Sequence, residues 1–127
     1  CAALWDRGFC RAACATDLGP RERLGRSPAD RSRFAQTARE AFDSSPELVD
    51  AASRDLQSIA VHDPATRGLL PPLLNYKGYA ALEAFRVANW LWRQGRRDLA
   101  LLIQSLSSDS LQVSIHPSAS IGTSVFL

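Results

Sequence analysis

"SIHPSASIGTSVFL", residues Ser114–Leu127, is the stretch on which the fold turns. Ile115, Ile121 and Leu127 recur every six residues, and small or β-branched Ala119 and Val125 follow the first two by four places. A period of six is neither the 3.6 of a helix nor the 2 of a plain strand, but it is one of the β-helix repeats. Each unit buries one aliphatic residue, turns a corner on small residues and stacks on the next coil, so it is stable only among neighbours. Residues 111–127 are therefore expected to form a first, incomplete coil.

Upstream, the texture is helical. Ser27-Pro28 reads as an N-cap and first helical residue, after which Phe34, Ala38 and Phe42 recur every four residues. Ser45-Pro46 opens a second helix in the same way, with Glu47 in its first turn favourable to the dipole. Its apolar face is Leu48, Ala52, Leu56 and Ile59, and it runs to about Val61. Asp63-Pro64 breaks it, because a residue before proline is pushed out of the α region. Gly68, Pro71 and Pro72 predict an extended, looped connection.

Ala81, Ala84, Phe85, Ala88, Leu91 and Trp92 then follow the helical i, i+3, i+4, i+7 pattern, which stops at Gly95 as a C′ residue. A fourth helix places Leu99, Leu102, Ile103 and Leu106 on one face, and the polar link "SSDS" follows it. The fold class is mostly α: a helical bundle over 34–107 leading into the start of a β-helix, with a poorly defined segment over 1–33.

Composition narrows the function classes. Among 127 residues, 46% are apolar and the net charge is +2, which excludes wholesale disorder and favours neither nucleic acid nor an anionic membrane. No apolar run approaches the roughly 18 residues of a membrane span, and the N-terminus is unlike a signal peptide. Cys1, Cys10 and Cys14 are odd in number, lack a framework and lack a second Cys/His pair, so they read as reduced thiols without metal. The expected compartment is the cytoplasm. The chain has no Met, so it reads as processed or incomplete at its start. The Arg-rich stretch 8–33 reads as a solvated segment rather than a nucleic-acid arm.

Four motifs carry a resemblance: "DPA" at Asp63–Ala65, "LLNYKGYAALEAFR" at Leu73–Arg86, "WLWRQGRR" at Trp90–Arg97 and "QVSIHPSASIG" at Gln112–Gly122. From about Thr37 to Leu127 the chain resembles the serine O-acetyltransferases; residues 8–33 do not look like that family's N-terminal helices. The resemblance implies a helical domain followed by a left-handed parallel β-helix that trimerises, with the helical domains pairing trimers. It implies acetyl transfer from acetyl-CoA to L-serine, giving O-acetylserine for cysteine biosynthesis. It also implies that the general-base histidine belongs to an Asp-His pair following the position of Leu127, and that the coenzyme A groove belongs to later coils. The chain thus reads as a truncated fragment, inactive alone, with no catalytic residue, cofactor or metal ligand of its own.

Among the residues present, Asp63 is the candidate for substrate binding. A carboxylate can pair with the ammonium of an amino acid, and the resemblance implies this role for the Asp of "DPA"; the competing reading is that Asp63 only terminates its helix. His62 and His116 supply no convincing base, since His62 reads as solvent-facing or locally bonded and His116 as a corner residue before Pro117. Where the family has an Asp ahead of Ile-His-Pro, this chain has Ser114, a hydroxyl without the charge that would steady an imidazolium. Tyr79, Trp90 and Trp92 read as packing residues, and Arg93, Arg96 and Arg97 as complements to a helix end. Phe85, Trp90 and Trp92 are expected to anchor self-association. The alternatives are a non-catalytic oligomerisation module and a different hexapeptide acyltransferase.

Overall fold

The computed structural model describes residues 27–127; Cys1, Cys10, Cys14 and the Arg-rich residues before Ser27 lie outside them. Helix α1, Pro28–Ser44, opens on a capping box. The Ser27 hydroxyl accepts from the Asp30 amide at 3.2 Å, and the Asp30 carboxylate accepts from the Ser27 amide at 3.2 Å. Two of the orphan N–H groups of the first turn are thereby satisfied. Helix α2, Pro46–His62, begins at Ser45, whose extended backbone and following proline suffice without a side-chain cap bond.

The segment expected to be looped instead contains a short helix, α3, Leu70–Asn75. Both prolines fall in its first turn, where an amide N–H has no intrahelical partner to lose. Leu73 supplies the reason to coil there: it packs with Leu56, Ile59 and Tyr79 in a small apolar cluster.

Helix α4, Lys77–Arg93, is the centre of the molecule. Residues 79–88 are buried without interruption, so it is enclosed on every side rather than amphipathic. The four other helices among the described residues all pack on it, and Ala80, Ala81, Ala84 and Ala88 let their backbones approach closely. It ends in a full Schellman turn: Gly95, at φ +81°, donates to Trp92 O and Arg96 donates to Leu91 O. Phe85, expected as an association anchor, is only 5% exposed and belongs to the interior.

Helix α5, Arg97–Leu111, is longer than expected, absorbing the "SSDS" link. Leu111 is 2% exposed and Ser107 is buried, so the last turn is held on the core until Gln112 ends it in the left-handed region, φ 61°. Its inward face is Ala100, Ile103, Leu106 and Leu111, whereas Leu102, expected inside, is 43% exposed beside exposed Leu101. Leu102 lies about 100° around the helix from Ile103, at the edge of the buried stripe.

Residues 112–127 form no strand among the described residues. Ile115, Ile121 and Val125 are half-buried and Leu127 is exposed. A coil of a β-helix makes its ladder bonds to the coil beside it, and here the segment lies against helices instead. Ser107 Oγ donates to Val113 O at 3.1 Å, and Asn89 Nδ2 donates to Pro117 O at 2.7 Å and Ala119 O at 3.2 Å.

Candidate functional site

Asp63 caps the C-terminal end of α2, its amide donating to Ile59 O at 2.9 Å. Both side-chain oxygens are engaged. Oδ1 accepts the Ala65 amide at 2.9 Å, an Asx turn that lets the chain leave through Pro64, and Oδ2 accepts the Tyr76 hydroxyl at 2.8 Å. Each oxygen retains a second lone pair. Terminating the helix and presenting a half-buried, oriented carboxylate are therefore compatible at one residue. Tyr76, at the entrance to α4, was not singled out from the sequence; an aromatic beside Lys77 carries no signal of a partner 13 residues earlier.

The other sequence candidates make contacts of their own. Nδ1 of exposed His62 lies 2.8 Å from Ser58 O, one helical turn back, so it is bonded within α2. His116 Nδ1 accepts the Ser118 amide at 3.2 Å, closing a turn at the proline corner, and its ring meets Trp92 edge-on with centroids 5.2 Å apart. Ser114 Oγ accepts from Gln104 Nε2 at 3.1 Å. The arginines do not act as helix-end complements alone. Arg96 pairs with Glu40 of α1 at 3.0 Å, and the Arg97 guanidinium lies 4.9 Å over the Trp92 ring. Tyr79 is buried, its hydroxyl donating to Ala52 O at 3.3 Å. A cleft of about 220 Å³ opens between the first turns of α2, the C-terminal half of α4 and the final segment, lined by Leu48, Ala51, Asn89 and Ile121, at the opposite end of α2 from Asp63.

One charged pair went unread. Asp55 of α2 is fully buried and Arg86 of α4 is 6% exposed. Arg86 Nε and Nη2 both donate to Asp55 Oδ2, Nε at 2.7 Å. Burial pushes the Asp55 carboxyl up from the ordinary carboxylate value; the Val125 amide, Arg86 and the Ser124 amide pull it down without cancelling that rise. Glu83, also buried, lies 3.8 Å from Arg86 Nε. A signal existed in the sequence: Asp55 stands three after Ala52 and four before Ile59, on the apolar face of its own helix. Its partner, 31 residues on, could not be named from that.

Among the described residues, no group of three or more His, Cys, Asp or Glu could hold a metal ion, and no helix is long and apolar enough to cross a membrane.

Comparison with known proteins gives this arrangement its setting. The family profile "Serine acetyltransferase, N-terminal" matches residues 11–84, starting inside the stretch that the motifs had set apart. The serine acetyltransferase of Escherichia coli K12 is 42% identical over 92 residues, covering 72% of this chain and 34% of the relative. A serine acetyltransferase from Brucella abortus, solved in complex with coenzyme A, superposes with a TM-score of 0.84 at 34% identity, over 93% of this chain and 46% of that one. A soybean serine acetyltransferase, solved with serine, superposes with a TM-score of 0.81 at 38% identity, over 90% of this chain and 46% of that one. This chain belongs to the serine acetyltransferase family. It spans about a third of the length of the curated relatives it matches.

Proposed function

We propose that these residues are the helical part of a serine O-acetyltransferase, and that the Gln112–Leu127 segment is the entry to a left-handed parallel β-helix. The reaction moves an acetyl group from acetyl-CoA to L-serine. The serine Oγ–acetyl bond forms, the thioester C–S bond breaks, and the serine hydroxyl proton is transferred by way of a base to the departing coenzyme A thiolate. Relatives solved with coenzyme A and with serine support both substrates. In this reading the β-helix trimerises and the enzyme is cytoplasmic.

The observation that carries the reading is the carboxylate of Asp63, fixed on one side by the Ala65 amide and on the other by the Tyr76 hydroxyl. An oriented carboxylate can hold the substrate ammonium in one place, and orientation of the alcohol toward a thioester is what an acyl transfer needs from its scaffold. Asp63 orients and takes no proton from the reacting hydroxyl. In this reading the β-helix supplies the base and the coenzyme A groove.

The test is steady-state kinetics on this chain continued at Leu127 by the corresponding remainder of the E. coli relative. Asp63→Ala should raise KM for L-serine at least tenfold and leave KM for acetyl-CoA within about twofold, the pattern of a lost substrate contact. Unchanged serine kinetics would remove Asp63 from the site.

A further inference from the structure

Asp55 and Arg86 do more than join two helices. An ion pair serving only as glue between α2 and α4 needs one carboxylate oxygen and one face of the guanidinium. Here each group also reaches the backbone of the final segment. Asp55 Oδ1 accepts the Val125 amide at 3.0 Å, and Arg86 Nη2 also donates to Gly122 O at 2.8 Å. Ser58, one turn after Asp55, adds a bond from its hydroxyl to Ser124 O at 3.1 Å.

A second, independent feature marks the same path. Gly78, in the first turn of α4, has no room for a Cβ: the backbone of Leu127 lies against it, with Leu127 Cβ 3.1 Å from where a Cβ would stand. Glycine inside a helix costs about 1 kcal/mol against alanine, so this close backbone contact is a physical reason for its presence there.

A buried ion pair is a poor way to gain stability, because well-packed apolar residues of similar volume often serve as well or better. What leucine cannot do is hold a backbone N–H and a backbone C=O. We propose that Asp55 and Arg86 are positioning residues, clamping the Gly122–Val125 backbone onto α2 and α4 and fixing where the final segment leaves the helical body relative to Asp63. Asp63 lies eight residues further along the same helix, about 12 Å at 1.5 Å per residue. One rigid element thus carries both the clamp and the proposed serine carboxylate. Only the purpose of this placement rests on the acetyltransferase reading; the clamp is tested without substrate, so the two fail separately.

The experiment is amide hydrogen exchange by NMR on the 127-residue chain, with circular dichroism as the control for folding. The double variant Asp55→Leu/Arg86→Leu should retain the helical spectrum and the slow amides of α4, while the Val125 amide exchanges at least tenfold faster than in the parent. Unchanged protection of Val125 in the folded double variant would overturn the proposal, leaving the pair as interhelical glue. Should the double variant unfold, Asp55→Asn decides. It is isosteric, and with its oxygen kept by Arg86 its NH2 faces the Val125 N–H, donor against donor. Val125 should then exchange faster with the helices intact, and an unchanged rate overturns the clamp.

Discussion

Two carboxylates on α2, eight residues apart, sit in opposite circumstances. Asp63 is half-buried at a helix end and is bound, among the described residues, by neutral donors, one amide and one hydroxyl. Asp55 is enclosed, and the loss of water around it outweighs the pull of the backbone amides and Arg86, which raises its carboxyl from the ordinary value. A side-chain carboxyl 13C titration should therefore give Asp55 a midpoint above the ordinary value of about 3.9. A midpoint at or below that value would mean that Arg86 and the amides win over burial. The consequence for stability has a definite sign. Between the unfolded value and the raised folded one, the folded chain binds more protons than the unfolded chain. The contribution of Asp55 is therefore fully present below the unfolded pKa and is lost as pH rises through the folded pKa.

At the scale of the element, the C-terminal end of α4 shows how local chemistry sets a boundary. Gly95 occupies the left-handed region with nothing within 4 Å of a would-be Cβ, so the conformation requires glycine and crowding plays no part. Gly95→Ala should destabilise the fold by about 1–2 kcal/mol, the cost of an L side chain in that region. This would lower Tm by several degrees, since about 1 kcal/mol corresponds to roughly 4–8 °C in a domain of 60–100 residues. An unchanged Tm would show that the Schellman turn is not what ends the helix. This boundary was legible in the sequence, as were the Ser-Pro starts of α1 and α2, because caps are encoded within a few residues of where they act. Helix α3 was not legible. "LPPLLN" has the look of a loop until Leu73 finds Leu56, Ile59 and Tyr79, and those contacts exist only in the folded chain. Asp63 could be singled out because its motif is specific, although its Tyr76 partner could not be named. The Asp55–Arg86 clamp could not, because it is assembled from α2, α4 and residues 122–125.

Across the described residues, the helices close a core around α4, to which the final segment adds half-buried Val113 and buried Pro117. Phe34, Phe42, Ala84, Leu91, Ile103 and Leu106 share one cluster. The six-residue period of Ile115, Ile121 and Leu127 has no comparable partner among the described residues, which is why it forms no strand there. In the proposed reading the helices present Asp63 and hold the final segment, while acetyl transfer needs the β-helix. The most direct measurement is coenzyme A thiol release from acetyl-CoA with and without L-serine. It compares the 127-residue chain with the same chain continued at Leu127 by the remainder of the E. coli relative. Serine-dependent release is expected from the continued chain and none from the 127-residue chain. Turnover by the 127-residue chain, or a folded continued chain with no serine-dependent release, would contradict this assignment.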